Sequence, residues 1–188
     1  MRAHTSFVIG FHGCGRELGL RLVRGDEAMK AQDRQYHWLG SGIYFWENDR
    51  ERAFEWAREK ASRGELQDPF VIGAVIELRR CLDLSMRENV PLVKAAHDSL
   101  TALYAKSGDA MPRNKKAPKD SREDKVLRFL DCAVLNHLFE SLDTGFDTVR
   151  GLFVEGGPVY DGAEIYNKTH AEIAVRNPAC IRGLFVPL

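Results

Sequence analysis

The segments of this chain that are typical of β-strands lie towards its two ends, and the helical periodicity lies between them. This order constrains the fold strongly, because a doubly wound parallel sheet needs strands and helices that alternate along the chain. The sequence therefore predicts an α+β protein. A length of 188 residues suits a single domain, and we expect one domain over residues 1–188.

Six segments rich in β-branched and aromatic residues are predicted to be strands. The strand predictions are residues 6–11, 40–46, 70–78, 150–155, 170–175 and 181–187, with a short strand end in LDLS after a turn at 79–81. Several of them stop at glycine-containing turns, such as HGCG after the first segment.

A helix is predicted directly after the GSGIYFW strand. Asn48 or Asp49 can cap its N-terminus, and Gly64 can end it. Its apolar and aliphatic positions recur at helical spacing. These positions are Ala53, Trp56, Ala57 and Lys60.

Two longer helices are predicted in the middle of the chain, at about 88–106 and at 121–142, because each segment carries apolar residues along one helical face. Ser121 and Asp124 have the spacing of a capping box at the start of the second helix. Residues 16–38 are polar and mixed, and no regular element is predicted there.

Charge is balanced over the whole chain, with 27 Lys and Arg against 27 Asp and Glu. There is thus no net charge to attract nucleic acid or an anionic membrane, and any basic surface must be local. One local cluster lies in a proline-containing loop and consists of Arg113, Lys115, Lys116 and Lys119. Such a run is usually a solvated surface; the alternative is a contact with nucleic-acid phosphates.

The location of the protein is predicted from what the sequence lacks. No stretch reaches the roughly 18 apolar residues of a membrane span, and the N-terminal residues lack the pattern of a signal peptide. The four cysteines are scattered, without a CxxC pair or histidines at zinc-ligand spacing. We expect a soluble cytoplasmic protein with reduced thiols, without bound metal and without membrane association.

Three short segments combine a strand edge with a residue able to do chemistry: FHG at 11–13, GSGIYF at 40–45 and HAEIAV at 170–175. His12 and Tyr44 could each be merely structural. Glu172 is more informative, because a carboxylate between apolar strand positions is costly to bury unless it has a partner or a task. Alternatively, Glu172 lies on the solvent side of an alternating strand.

Taken in order, FHG, GSGIYFWENDRERAFEWA and THAEIAVRNPACI resemble the three motifs of the ADP-ribosyltransferase superfamily, in its His-Tyr-Glu branch of diphtheria-like toxins and poly(ADP-ribose) polymerases. The chain also resembles small stand-alone bacterial toxins of this superfamily that have neutralising partners. The resemblance covers both ends of the chain and the middle only in outline. It implies a split antiparallel β-sheet core with a helical insertion.

The resemblance also implies roles for particular residues. His12 would hydrogen-bond a ribose hydroxyl of NAD, the backbone of Gly13 would hold the carboxamide, and Tyr44 would stack on the nicotinamide ring. Glu172 would stabilise the positive charge that grows as the glycosidic bond breaks, which is oxocarbenium chemistry. Because nicotinamide leaves from a cationic state, the reaction needs orientation and one carboxylate, and it needs no metal.

Some positions depart from the family pattern or leave choices open. Either Phe54 or Trp56 would supply a second aromatic wall. His170 stands where relatives that modify arginine or bases often have Gln or Glu to orient the acceptor. Arg50 and Arg52 lie where polymerase-like relatives have a serine that binds the carboxamide.

The resemblance predicts transfer of ADP-ribose from NAD to a macromolecule, by a bacterial toxin or defence effector with a possible neutralising antitoxin. The long loop at 156–169 would shape the choice of acceptor. Tyr160 and Tyr166 in that loop could stack on bases, which favours RNA or DNA over protein as the acceptor. Both tyrosines could equally be packing residues of the loop.

Other interpretations remain open from the sequence. Glu155 and Glu164 are rival acids to Glu172. A non-catalytic module that binds NAD, ADP-ribose or a partner is the main alternative to the enzyme. A thiol enzyme that uses Cys14 with His12 lacks an accompanying acyl-transfer pattern. An RNA 2'-phosphotransferase of the same fold would need a set of Arg and His residues that the sequence does not assemble.

Overall fold

The computed structural model describes residues 4–116, 125–141 and 145–188. Within these residues the chain forms one seven-stranded mixed sheet and four α-helices, which confirms the predicted α+β class. The strands are β1 His4–Gly15, β2 Ile43–Glu47, β3 Pro69–Arg79, β4 Cys81–Asp83, β5 Thr148–Phe153, β6 His170–Val175 and β7 Ile181–Phe185. The helices are α1 Arg16–Arg24, α2 Arg50–Ser62, α3 Val90–Ser107 and α4 Phe129–Ser141.

The strand order across the sheet is β4-β5-β6-β2-β1-β3-β7. Neighbouring strands are antiparallel except β4 and β5, which are parallel. The sheet is therefore mixed, where the sequence predicted an antiparallel one. Because β6 lies between β5 and β2, strands from the last third of the chain pair directly with a strand from the first third.

The pairing between β1 and β2 is short. Only Gly10 with Glu47 and Phe11 with Trp46 are paired along these two strands, whereas β1 pairs with β3 over most of its length. The hydrogen-bonded ladder between β1 and β2 thus ends just before His12 along β1, near the middle of the sheet.

Three local features explain how the elements form. The side chain of Asp49 accepts a hydrogen bond from the backbone N–H of Arg52, so of the two predicted N-caps of α2, Asn48 and Asp49, the second is confirmed. Helix α1 ends at Gly25, whose φ of 81° is the left-handed conformation that glycine adopts readily. Helices α3 and α4 pack together over β4, β5 and β6 through a cluster that includes Leu82 and Leu135.

Two sequence-based predictions of helices differ from the structure. Helix α1 lies in the segment 16–38, for which no regular element was predicted. The expected start of the last helix at Ser121 and its capping box with Asp124 lie outside the described residues, and in the described part α4 begins at Phe129. Among the described helices, none combines the length and the hydrophobicity needed to cross a membrane.

Candidate functional site

A cavity of about 720 Å³ opens where the ladder between β1 and β2 ends. Its size is within the range of 300–1,000 Å³ that is usual for small-molecule sites. His12 from β1, Tyr44 from β2 and Glu172 from β6 all line it. The three residues that the sequence singled out therefore come together at one cavity, although Glu172 is far from the other two in the sequence.

The position of His12 follows from the short β1–β2 ladder. Its Nδ1 lies 2.8 Å from the backbone oxygen of Tyr44, so the ring bridges the two strands where main-chain pairing has stopped. A carbonyl oxygen only accepts, and Nδ1 therefore carries the proton. Burial, together with the nearby charge of Lys60, lowers the pKa of His12. A neutral His12 keeps Nε2 as a hydrogen-bond acceptor, suited to a ligand hydroxyl.

Tyr44 contributes a fixed ring rather than a titrating group. Its hydroxyl donates to the oxygen of Gly40 at 2.6 Å and accepts from the N–H of Leu39 at 2.7 Å. Burial, and then the charge of Glu172, raise the pKa of this hydroxyl. The ring of His37 lies against the Tyr44 ring, with centroids 4.6 Å apart, and both side chains line the cavity.

Glu172 is buried, with 8% of its surface exposed, and lies opposite Trp46 in the pairing of β6 with β2. One oxygen, Oε1, is 3.3 Å from Nε2 of His170. The other, Oε2, is buried and has no hydrogen-bond partner in the described part of the chain. A buried carboxylate oxygen without a partner is costly, and at a cavity wall it is available to a ligand.

The two rival acids differ from each other. Glu155 is buried, lines the cavity and is bound by Nη2 of Arg52, which donates to both carboxylate oxygens at 3.0 and 3.2 Å. Its charge is already paired. Glu164 is exposed in the long loop and is not among the described residues that line the cavity. The structure thus leaves Glu172 as the cavity acid with an unpartnered oxygen.

The two aromatic candidates on α2 also separate. Trp56 lines the cavity and lies with its ring centroid 6.5 Å from that of His12. Phe54 packs with Trp46 and Val71 and carries Arg58 over its ring, away from the cavity lining. Trp56 is therefore the α2 ring that a ligand in the cavity can reach.

Gly13 lies at a point of close packing. A Cβ at this position would lie 2.3 Å from the backbone oxygen of Ala53 in α2. The absence of a side chain is therefore needed for α2 to approach β1, whatever contact the Gly13 backbone makes with a ligand. This close approach also brings Trp56 next to His12.

Cations line another part of the cavity. Arg34, Lys60 and Arg63 are among its lining residues. Burial, and then the charge of Arg34, lower the pKa of Lys60, whose Nζ lies 4.4 Å from the centroid of the Trp56 ring. Within the described ranges, no carboxylate comes within 4.0 Å of the Arg34 guanidinium in an ion pair. Lys60 and Arg63 pair with Glu65, which also lines the cavity, so Arg34 is the member of this group best placed to bind an anionic portion of a ligand.

The residues expected to contact an acceptor lie apart from the cavity lining. The side chain of His170 is 1% exposed, and it faces Glu172 and Glu155. Tyr160 is 64% exposed at the end of the long loop, and Tyr166 is bridged to Pro158 within it. Tyr160 is exposed enough to contact an acceptor directly. His170 could contact an acceptor only if it became exposed.

The long loop itself is ordered by internal hydrogen bonds. The N–H of Val159 donates to Ile165, that of Asn167 to Gly157 and that of Lys168 to Glu155. The loop therefore runs back alongside itself.

The basic cluster lies near the cavity but outside its lining. Lys115 makes two backbone hydrogen bonds with Leu127, which itself lines the cavity. Arg113 and Lys116 are exposed. Lys119 lies outside the described residues.

Cys14 does not have the surroundings of a nucleophile. It is 4% exposed, packs with Leu22 and Ile72, and burial raises the pKa of its thiol to about 11. A thiol with this pKa stays protonated at neutral pH, which weakens the interpretation as a thiol enzyme.

Sequence reasoning missed several residues of the site. Arg34 and His37 lie in the segment 16–38, for which the sequence predicts no regular element, and the sequence distinguishes Arg52 only as a departure from the family pattern. The partner of Arg52 is 103 positions away along the chain. No local pattern could have indicated that pair.

Comparisons with known proteins give little further information. No protein-family model matches the chain. It is 27% identical to an uncharacterized protein of Methanocaldococcus jannaschii over 196 aligned positions, which cover 93% of this chain and 84% of the archaeal protein. This similarity assigns no family and no activity.

Proposed function

We propose that this protein is an ADP-ribosyltransferase that binds NAD in the cavity, cleaves its nicotinamide glycosidic bond and transfers ADP-ribose to a macromolecule. The observation that carries the proposal is the meeting of His12, Tyr44 and Glu172 at one cavity, with Glu172 Oε2 left without a partner. The resemblance of the three segments to the superfamily motifs also supports it.

Glu172 is the proposed stabiliser of the transition state. When nicotinamide leaves, positive charge develops on the ribose, and a carboxylate beside the sugar lowers the energy of that state. Burial of Glu172 makes its interaction with the growing charge stronger than it would be in water. His12 would accept a hydrogen bond from a ribose hydroxyl through Nε2 and fix the sugar next to Glu172.

The remaining lining residues fit the other parts of NAD. The rings of Tyr44 and Trp56 offer apolar walls to the nicotinamide. Arg34 and Lys60 offer positive charge to the diphosphate, for which a guanidinium is well suited. Lys60 already lies 4.0 Å from Glu65, and in this arrangement the diphosphate adds a second negative partner, so the lowered pKa of Lys60 rises in the complex.

The first test is release of nicotinamide from NAD, measured by chromatography with an extract as the source of acceptor. We expect Glu172→Gln to lower the rate by about 10²–10³, as is common when one electrostatic group is removed from a preorganised site. Glu164→Gln is the matched control, because Glu164 is an exposed acid outside the cavity lining, and it should act like the unmodified protein.

The same experiment separates the enzyme from a binding module of the same fold. If NAD raises the melting temperature but no nicotinamide is released above the Glu172→Gln background, the chain binds without catalysis. If NAD neither stabilises the protein nor is cleaved, the assignment of the cavity to NAD is wrong.

We further propose RNA or DNA as the acceptor, supported by the exposed ring of Tyr160 and by the basic residues Arg113 and Lys115. Incubation with labelled NAD and separate pools of RNA, DNA and protein tests this, and label in the protein pool alone would contradict it. The role as a toxin or defence effector in the cytoplasm, with a neutralising antitoxin, rests on the resemblance. Growth arrest by the unmodified protein, but not by Glu172→Gln, would support that role.

A second candidate is an NAD-dependent RNA 2'-phosphotransferase, which the sequence did not favour. The observation in its favour is the set of cations at the cavity, Arg34, Arg52 and Arg63, together with two histidines. The ADP-ribosyltransferase and the 2'-phosphotransferase are distinguished by incubating the protein and NAD with an RNA oligonucleotide that carries one internal 2'-phosphate. The same oligonucleotide without the 2'-phosphate is the control. Loss of the 2'-phosphate would favour this candidate.

A further inference from the structure

Four ionisable side chains form a buried cluster at the wall of the cavity, and three of them, Arg52, Glu155 and Glu172, line it. They run from Arg52 on α2, through Glu155 after β5, to His170 and Glu172 on β6. Among the described residues, six polar or charged residues are buried, and four of these six belong to this cluster. With two cations and two anions it is balanced when His170 is protonated, which lowers the cost of burying the charges.

The surroundings of the His170 ring define its protonation. Nδ1 lies 2.6 Å from the backbone oxygen of Lys168 and 3.7 Å from Oε2 of Glu155. Nε2 lies 3.3 Å from Oε1 of Glu172, at ion-pair distance but without the alignment of a hydrogen bond. Both ring nitrogens face acceptors. Both contacts are therefore favourable only when both nitrogens carry protons, which makes the ring an imidazolium.

Other groups around His170 do not offset this preference. The rings of Trp38 and Phe153 lie beside it at centroid distances of 5.7 and 6.0 Å. Two further cations belong to these surroundings: Arg128 lies over the rings of Trp38 and Phe153, and Lys168 directs its Nζ to Glu55 and Glu59. Burial by itself lowers the pKa of His170, but Glu172, the Lys168 carbonyl and Glu155 raise it, and the net direction is upward.

We propose that protonated His170 is a positioning residue that holds Oε1 of Glu172, leaving Oε2 directed to the substrate, and that Glu155 and Arg52 fix His170 in turn. This inference rests on the proposed function, because it assigns a reason for the geometry of the acid in that reaction. It also explains why Glu155, although it lines the cavity, is not the acid that acts on the sugar: its two oxygens are held by Arg52.

Two substitutions of His170 separate its functions. In His170→Gln the amide nitrogen can reach Glu172 as Nε2 does, but it does not titrate. In His170→Asn the shorter amide reaches only towards Lys168 and leaves Glu172 unsupported. We expect His170→Asn to lower kcat for nicotinamide release by about 10²-fold, as displacement of a reacting group by about 1 Å can do, with KM for NAD nearly unchanged. His170→Gln should keep most of kcat.

The pH profile distinguishes positioning from a merely structural role. In the unmodified protein kcat should fall as the pH rises above 6.5 and through the raised pKa of His170, because the neutral ring no longer holds Glu172. This alkaline decline should be absent in His170→Gln and should move to lower pH in Glu155→Gln. Asp83→Asn is the control, since it breaks a buried ion pair with Arg150 in a cluster outside the cavity lining. It should lower stability and keep the decline.

Nuclear magnetic resonance of the ring nitrogens of His170 tests the ion pair without any assay of activity. We expect a titration midpoint above 6.5 in the unmodified protein and a lower midpoint in Glu172→Gln. A midpoint at or below 6.5, or equal kcat values and pH profiles for His170→Gln and His170→Asn, would overturn the inference. If nicotinamide is never released but the midpoint is raised, the proposed function has failed while the buried ion pair stands.

Discussion

At the scale of single residues, the cavity is defined by how its histidines are held. His12 and His37 are partly buried in surroundings that favour their neutral forms, whereas His170 lies between carboxylates that favour its protonated form. His12 therefore serves as a hydrogen-bond acceptor at the cavity wall, whereas His170 serves as a cation next to Glu172. These opposite preferences also give the protein a dependence of stability on pH.

The stability of the fold should fall as the pH decreases from 6.5 to 4. Burial, and then the charge of Arg34, lower the pKa of His37 to about 4, while an unfolded chain takes up this proton near pH 6.5. The unfolded state thus binds more protons in this window, and acid favours it. His37→Phe should reduce the slope of the free energy of unfolding by at most about 1 kcal/mol per pH unit, allowing for solvent screening.

Urea denaturation at pH 4.5, 5.5 and 6.5 measures this slope. Tyr36→Phe is the control, because it alters the neighbouring ring without changing a group that titrates in this window. An unchanged slope in His37→Phe would show that other groups carry the acid sensitivity.

At the scale of elements, the approach of α2 to β1 determines whether the cavity has its wall. Trp56, Lys60 and Arg52 all come from α2, and the helix can lie this close because Gly13 has no side chain. The ladder between β1 and β2 ends at the same point, where β1 packs against α2 and its own His12 ring reaches the backbone oxygen of Tyr44 in β2. Packing and site geometry are therefore set by the same few positions.

Gly13→Ala should destabilise the protein by about 2–3 kcal/mol, because the new Cβ would lie 2.3 Å from the Ala53 oxygen and force α2 outwards. For a chain of this size this corresponds to a melting temperature lower by about 5–10 °C. Gly183→Ala in β7 is the matched control, since its Cβ would meet nothing within 4 Å. Calorimetry of both variants tests this, and equal melting temperatures would contradict it.

The elements of the fold were predictable where a local pattern determines them. Strand β3 and the N-cap at Asp49 follow from runs and spacings within a few residues. Helix α1 was missed because its segment reads as polar, although Leu18 and Leu22 are one turn apart and Gly25 closes it. The parallel pairing of β4 with β5 joins residues 67 positions apart and leaves no local pattern.

The site was predictable to a similar extent. His12, Tyr44 and Glu172 were found because each follows or lies in a strand with recognisable flanks, and they come together at the cavity. The supporting roles of their neighbours were not predicted, since Glu155 was named only as a rival acid and Arg52 only as a departure from the family pattern. Arg52 and Glu155 meet only through the tertiary fold, and neither sequence neighbourhood indicates a buried ion pair.

At the scale of the whole molecule, the order of strands interleaves the two ends of the chain. Strand β6 is hydrogen-bonded to β2 on one side and to β5 on the other, so neither end can leave the sheet alone. The two largest buried clusters, around Leu135 and around Phe45, both take residues from β2 or the segment before it and from β6.

This interleaving predicts a single cooperative unfolding transition. Tryptophan fluorescence reports on Trp38, Trp46 and Trp56 near the cavity, and circular dichroism reports on the helices, so the two melting curves should coincide. Calorimetric and van't Hoff enthalpies should also agree. Two separated transitions would mean that the helices α3 and α4 fold independently of the sheet.

The inaccessibility of the four cysteines has a practical consequence. All four are buried, and burial raises the pKa of each thiol, to about 11 for Cys14 and Cys81. Maleimide reagents need an accessible thiolate, so the natural chain should label slowly while folded. A single cysteine introduced at the exposed position 160 would then accept a fluorophore selectively. The dye would report whether the end of the long loop changes its surroundings when nucleotide or nucleic acid is added.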